Sequence, residues 1–182
     1  MVAIRLQYRY QPESISKFNS GICSLPVLST MKNKTGKILK AGIIVGCLDL
    51  AAAFVMAWFR SGASPLAVLR YIAAGLLGPA AFKGGAGTAL LGLLIHFCIA
   101  LAFTWIFFQL LKYLRKWVPS PILLGILFGV LVWTVMNLLV LPVSQLPSRP
   151  FRWKGALEGM AILILAIGIP LSFLSRKNYN TD

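Results

Sequence analysis

The sequence predicts an all-α membrane protein with four transmembrane helices and one short interfacial or re-entrant helix. Of its 182 residues, 58% are hydrophobic and 12% are charged, whereas a soluble domain carries about 25% charged residues. Four apolar stretches reach the roughly 20 residues that cross a bilayer core. A fifth apolar stretch is shorter and lies between helix start and stop signals.

The first residues differ in composition from the rest of the chain. Residues 1–30 are polar and lack periodicity, so they are expected to form a disordered extension. Met31 precedes a short basic stretch and an apolar segment, which is typical of a natural chain start. Residues 31–177 are predicted to form one helical membrane domain, and residues 178–182 a tail.

The first predicted span covers about residues 38–59 and carries Asp49 near its middle, on the same face as Gly42, Gly46 and Ala53. The short helix is predicted at about residues 64–77, because Ser64-Pro65 favours a helix start and Gly78-Pro79 a helix stop. Apolar runs of 10–14 residues are more often interfacial or re-entrant than spanning.

The second span, about residues 86–111, has two distinct faces. Small and polar residues recur every three or four positions on one face, which is expected to point into the bundle because small residues let helices approach closely in lipid. Large apolar residues on the other face are expected to meet lipid. The first set is Gly85, Thr88, Gly92, His96, Ala100 and Thr104; the second is Leu90, Leu94, Phe97, Leu101 and Phe108.

A basic loop at residues 112–117 separates the second span from the third, predicted at about 122–141 with Gly125, Gly129, Trp133 and Asn137 on one face. The fourth span is predicted at about 155–174. It carries Glu158 in its first turns, and Pro170 is expected to kink its end.

Each span therefore carries one strongly polar residue. At 1.5 Å per residue, Asp49 and His96 fall near mid-bilayer, whereas Asn137 and Glu158 fall near the side of the loops at 62–83 and 142–154. These four could line a polar intramembrane cluster, with Arg70 and Lys83 as a cap, or could serve as separate helix-to-helix hydrogen bonds. Ionisable residues inside a membrane are functional candidates by default.

Basic residues predict the orientation. About twelve Lys and Arg residues lie in the N-terminal segment, the 112–118 loop and the C-terminus, against about six on the other side. This bias favours cytoplasmic termini.

The net charge of +14 is explained by membrane topology and by contact with anionic headgroups, because the basic residues lie between apolar runs and do not share one face. The lipid bilayer is therefore the expected partner, and nucleic-acid binding is not expected. The spacing of Cys23, Cys47 and Cys98 indicates neither a disulfide framework nor a metal site. Cys47 and Cys98 fall inside spans and are expected in the core. No catalytic motif and no cofactor site is predicted.

Three strings, SPLAVLRYIAAGLLGPAAFKGG, TALLGLLIHFCIA and MNLLVLPVS, resemble small, uncharacterised multi-pass inner-membrane proteins of bacteria. The resemblance covers about residues 38–175. It implies a four-helix fold in the bacterial inner membrane and implies no activity.

Three functions remain open on these observations. The polar residues could serve assembly alone, in a structural or accessory membrane protein, which is the favoured interpretation. They could bind or transport a proton, ion or small solute, and four spans would then favour a homo-oligomer. A membrane enzyme could use His96 with Asp49 or Glu158 as acid and base, although no nucleophile or metal set accompanies them.

Overall fold

The computed structural model of the protein describes residues 26–146 and 152–179, with side chains from residue 35 to residue 175 within those ranges. The chain divides into two units, Met1–Gly36 and Lys37–Asp182. Of the first unit only residues 26–36 are described, and their backbone is helical. Residues 1–25 of the predicted N-terminal extension, residues 147–151 of the predicted loop and residues 180–182 of the predicted tail lie outside the described residues.

The described residues form helices and short connections. Helix α1 is Pro26–Ser61, α2 is Pro65–Leu77 followed by a 3-10 segment Gly78–Lys83, and α3 is Ala86–Leu114. Helix α4 is Pro121–Val143 and α5 begins at Trp153 and runs to Tyr179. Five helices are long and apolar enough to cross a membrane. The all-α membrane class is therefore confirmed.

The helix boundaries follow local signals in the sequence. The Ser64 hydroxyl accepts a hydrogen bond from the Ala67 amide, and Pro65 occupies the first turn of α2. Ser120 and Pro121 begin α4 in the same way. Helix α2 ends at Gly78, whose φ of 68° lies in the left-handed region that favours glycine. The predicted start and stop signals of the short helix are thus confirmed.

Helices α1 and α3 are antiparallel neighbours. A Cβ added at Gly42 would lie 2.6 Å from Leu101, whereas a Cβ added four residues later, at Gly46, would lie 3.0 Å from Phe97. The contact position on α3 therefore moves backwards as α1 advances. The end of α1 and the start of α3 consequently lie at the same end of the pair.

This antiparallel packing decides the path of the segment between the two helices. Residues 62–85 leave α1 and enter α3 at the same end, so the segment that contains α2 returns to that end. The loop after α4 contacts the same segment: the Gln145 amide N–H donates to the Gly75 carbonyl (3.0 Å), and Gln145 Nε2 donates to the Leu76 carbonyl (2.7 Å). Since Pro65–Lys83 is itself long and apolar enough to cross a membrane, the re-entrant or interfacial placement stays a prediction. The additional 3-10 segment makes the stretch longer than the sequence alone indicates.

Helices α4 and α5 form a second antiparallel pair. A Cβ at Gly125 would lie 2.9 Å from the backbone of Gly168, and one at Gly129 would lie 2.6 Å from Ile164. The rings of Phe107 and Phe128, with centroids 4.8 Å apart, join α3 to α4. Both residues belong to a buried cluster that also includes Val45 of α1 and Leu171 of α5. The glycines of the face predicted for the third span therefore pack against α5.

Two π-helical turns interrupt the second pair, at Met136–Val140 in α4 and at Ile164–Gly168 in α5. Each is followed two residues later by a proline, Pro142 or Pro170. A proline in a regular helix collides with the carbonyl four residues back. A wider turn at that place moves the carbonyl, and such turns are a known cause of helix bends. The expected distortion near Pro170 therefore takes the form of a π-turn on its N-terminal side.

Two expectations about side-chain burial are wrong. Phe97 and Leu101 do not point away from the bundle but pack against the glycines of α1, because a surface without side chains accepts large ones. Cys47 and Cys98 are exposed on the helix surface and not in the core. Leu90 and Leu94 are exposed as expected, and Gly92, Ala100 and Thr104 are buried.

Candidate functional site

The polar contact between α1 and α3 lies at Gly46, one of two glycines through which the helices pack closely. His96 Nε2 is 3.0 Å from the carbonyl oxygen of Gly46. Because a carbonyl oxygen can only accept, Nε2 carries a proton and donates it to this bond. The imidazole therefore connects α3 to the backbone of α1.

Asp49 lies one helical turn after Gly46 and interacts electrostatically with His96. Its side chain is half-buried, and within the described part of the chain its carboxylate makes no hydrogen bond. The two ionisable residues at mid-helix, predicted from the sequence as candidates, therefore interact electrostatically, and no ion pair joins them in the described part of the chain. A carboxylate beside an imidazole offsets part of the cost of placing either charge in an apolar region.

Helix α2 packs against α3 at Gly92, one turn before His96. A Cβ added at Gly92 would overlap the carbonyl oxygen of Leu69 and approach the amide nitrogen of Ala73 at 3.2 Å. The backbones of the two helices are therefore in direct contact, and only glycine at position 92 permits this. The contact fixes α2 about 6 Å along the helix axis from His96, at 1.5 Å per residue.

The two basic residues predicted as a cap differ in their surroundings. Arg70 is half-buried, and its Nε is buried without a hydrogen-bond partner among the described residues. Lys83 is exposed at the end of the 3-10 segment. Both belong to residues 62–85, the segment between the end of α1 and the start of α3, where the predicted cap lies. Neither forms an ion pair with Asp49 in the described part of the chain.

Asn137 serves its own helix. Its Nδ2 donates to the Trp133 carbonyl at 2.8 Å. Asn137 lies in the π-turn, in which a backbone amide bonds five residues back, as Leu141 N–H does to Met136 O. The Trp133 carbonyl also accepts the backbone amide of Met136, so the Asn137 side chain adds a second hydrogen bond to it.

Glu158 forms an ion pair with Arg60 at the end of α1. Both side chains are about half exposed. Since Arg60 lies eleven positions after Asp49, the pair is about 16 Å further along α1, at 1.5 Å per residue. The contact joins the end of α1 to the start of α5.

The structure thus assigns the four predicted residues to three places. Asp49 and His96 interact electrostatically without an ion pair among the described residues, Asn137 bonds its own helix, and Glu158 forms an ion pair with Arg60. Sequence reasoning missed two participants, the Gly46 carbonyl and Arg60. Gly46 already shared a predicted face with Asp49, so its closeness could have been found, whereas Arg60 was counted only as a charge outside the span.

The donor set does not favour a metal centre. In the described residues no three His, Cys, Asp or Glu side chains come together in a way that could hold a metal ion. The Nε2 nitrogen of His96 is already directed at a carbonyl oxygen. The arrangement can therefore hold two helices together through the His96–Gly46 hydrogen bond, with a carboxylate nearby.

The fold and this contact define a multi-pass all-α membrane protein with an ionisable pair between two helices. Comparison with models of known protein families, with curated proteins and with solved structures finds no match to this chain.

Proposed function

We propose that the chain is an integral protein of the bacterial inner membrane with four crossings and both termini in the cytoplasm. The excess of Lys and Arg in the N-terminal segment, the 112–118 loop and the C-terminus supports this orientation. The antiparallel pairs α1–α3 and α4–α5 support the even number of crossings. The resemblance to small uncharacterised bacterial inner-membrane proteins supports the location.

Reporter fusions test the orientation. Alkaline phosphatase folds only outside the cytoplasm, so a fusion after Lys83 is expected to be active and a fusion after Lys116 inactive. Green fluorescent protein joined to the C-terminus is expected to fluoresce. The reverse pattern at all three positions would overturn the orientation, and equal signals after Lys83 and Lys116 would overturn the four crossings.

The proposed molecular role is structural or accessory: the hydrogen bond from His96 to Gly46, with the Asp49 carboxylate nearby, holds α1 against α3 and thereby fixes the position of α2. One observation carries this proposal, the hydrogen bond from His96 Nε2 to the Gly46 carbonyl. That bond directs the imidazole at the backbone of a neighbouring helix. In lipid, where apolar burial does not drive helices together, side-chain hydrogen bonds and close packing take over that task.

A second candidate is the binding or passage of a proton, an ion or a small polar solute through a homo-oligomer. The Asp49 carboxylate favours it, because it accepts no hydrogen bond within the described residues and remains partly accessible. A carboxylate in an apolar region without donors is a position at which a cation or proton could be held.

Proteoliposomes distinguish the two roles. The parent and the Asp49→Asn variant are reconstituted with a pH-sensitive dye inside, and a proton or K⁺ gradient is imposed. The structural role predicts dye responses equal to those of protein-free liposomes for both proteins. A response in the parent that is lost in Asp49→Asn would overturn the structural role and establish the second candidate.

A further inference from the structure

A cavity of about 300 Å³ lies at the end of the bundle opposite to α2. Its wall is formed by the α3–α4 connection and by α5, with polar and apolar residues. Ser172 and Ser175 contribute from α5, Arg115 from the end of α3, and Val118, Pro121 and Leu124 from the connection and the first turn of α4. Neither Asp49 nor His96 lines this cavity.

The two serines are unusual for their position. Each is 1% exposed, and each hydroxyl donates to a backbone carbonyl three residues earlier, Ser172 to Ile169 at 2.8 Å and Ser175 to Ser172 at 2.6 Å. Such a bond duplicates the carbonyl's own helical bond, so the hydroxyl can rotate towards another acceptor at small cost. Two hydroxyl donors are therefore available at the cavity wall.

The surroundings of the cavity are strongly cationic. Lys112 and Lys116 are exposed on either side of Arg115, and Arg176 and Lys177 follow Ser175 in the sequence. The two carboxylate residues of the described part lie elsewhere, Asp49 midway along α1 and Glu158 near the start of α5. The potential at this end therefore favours an anion.

The position of the cavity indicates where such an anion comes from. Tyr113 and Trp117, which are 72% and 85% exposed, lie beside Arg115, and exposed aromatic residues of this kind mark the headgroup level of a bilayer. The volume is at the lower end of the range of about 300–1,000 Å³ for small-molecule sites. It accommodates a phosphate and the group esterified to it.

We infer that this cavity binds the phosphate group of an anionic phospholipid, with the Arg115 guanidinium as its cation and the Ser172 and Ser175 hydroxyls as donors. Val118 and Leu124 form the apolar side of the wall, against which the start of an acyl chain can lie. Basic pockets between transmembrane helices at the cytoplasmic surface are a general means of binding acidic headgroups. The inference rests on the membrane class and not on the role of Asp49 and His96.

The test uses the full chain in detergent micelles, with thermal melting measured as a function of added ligand. Dioleoylphosphatidylglycerol is the probe, dioleoylglycerol is the same lipid without the phosphate, and inorganic phosphate represents a soluble source. Only a ligand that binds the folded state raises Tm. We expect phosphatidylglycerol to raise Tm saturably, and dioleoylglycerol to leave it unchanged.

Variants locate the binding. Arg115→Gln is expected to raise the Kd for phosphatidylglycerol about tenfold or more, because it removes a charge-assisted hydrogen bond. Lys116→Gln is the matched control: it removes the same charge from the same loop but does not line the cavity, so a change of less than about threefold is expected. Ser172→Ala with Ser175→Ala removes both hydroxyls and is expected to raise Kd about fivefold.

Each result bears on the inference. Equal losses in Arg115→Gln and Lys116→Gln would show diffuse attraction and overturn it, as would saturable binding of dioleoylglycerol or no saturable binding of either phosphate-bearing probe. If inorganic phosphate alone gives an Arg115-dependent shift, the phosphate chemistry holds and the source is soluble. If Arg115→Gln does not fold, the double serine variant decides, and an unchanged Kd there overturns the inference.

Discussion

Gly46 and His96 are fifty residues apart in the chain, yet the carbonyl oxygen of the first and Nε2 of the second are 3.0 Å apart. The bond forms because glycine at positions 42 and 46 leaves the backbone of α1 uncovered on the side that faces α3. A side chain at position 46 would separate the helices and keep the imidazole from the carbonyl. The small-residue face and the histidine are therefore parts of one contact.

The first prediction concerns coupling between Asp49 and His96. Asp49→Asn and His96→Gln are each expected to lower the free energy of unfolding by about 1–2 kcal/mol, the upper range for polar contacts between helices in membranes. The double variant is expected to lose less than the sum, because the second change removes a group that has already lost its partner. Melting of the parent and of the three variants in detergent measures this.

Gln109→Leu serves as the control, since Gln109 is an exposed polar residue on the same helix. It is expected to melt like the parent. Strict additivity of the two single losses would show that Asp49 and His96 are not coupled.

The second prediction concerns the backbone contact between α2 and α3. Gly92→Ala is expected to destabilise the protein by about 1–3 kcal/mol, the usual cost of overpacking, because the new methyl group would overlap the Leu69 carbonyl. Gly87→Ala is the matched control on the same helix: nothing lies within 4 Å of a Cβ there. It should be neutral or gain up to about 1 kcal/mol from helix propensity. Similar melting of both variants would contradict the contact.

The third prediction concerns the path of α2. In a background in which the three native cysteines are replaced, single cysteines at Ser64 and Phe82 are expected to react with an impermeant maleimide from the same side of the membrane. A cysteine at Ser120, in the α3–α4 connection, is expected to react from the other side. Labelling of the first two positions from opposite sides would mean that α2 crosses.

The fourth prediction concerns the π-turn in α4. Asn137→Leu is expected to cost about 1 kcal/mol, because it leaves the Trp133 carbonyl without the side-chain donor at 2.8 Å. Thr134→Val is the comparison: Thr134 Oγ1 donates to the Val130 carbonyl at 2.8 Å on the same helix, so a similar loss is expected. An Asn137→Leu variant that melts like the parent would refute the role of this side-chain bond.

The fifth prediction concerns the ion pair between Arg60 and Glu158. Since both side chains are about half exposed, Glu158→Gln is expected to cost less than about 1 kcal/mol. The loss should shrink further as salt is raised towards 1 M, where the screening length is about 3 Å. A larger loss that is insensitive to salt would instead indicate that Glu158 has a buried role.

The architecture could be predicted because it depends on local signals. Helix lengths follow from apolar runs between Ser-Pro starts and glycine stops, and the re-entrant α2 follows from its short run with Arg70 inside. Placing Asp49 and His96 at the same depth required only the rise per residue. They come near each other because the small-residue face of α1 packs against the neighbouring helix α3.

The wider cluster could not be predicted in this way. The depth of a residue along its helix says nothing about which neighbour its side chain meets, so Asn137 and Glu158 could be placed near one side of the membrane but not assigned partners. The π-turn that contains Asn137 depends on a proline downstream and on tertiary packing. Phe97 and Leu101 were assigned to lipid because their size was considered without the glycines opposite them.

The two antiparallel pairs have a consequence for how the protein enters the membrane during synthesis. Gln145, at the start of the α4–α5 connection, bonds to the segment 62–85, so the two connections lie at the same end. If both termini stay in the cytoplasm, these two connections are the ones that are translocated across the bilayer. Each pair can then insert as a hairpin, and its glycine contacts can form as soon as its second helix is in place, before the other hairpin has been made. We therefore expect a chain that stops after residue 118 to retain the α1–α3 contact.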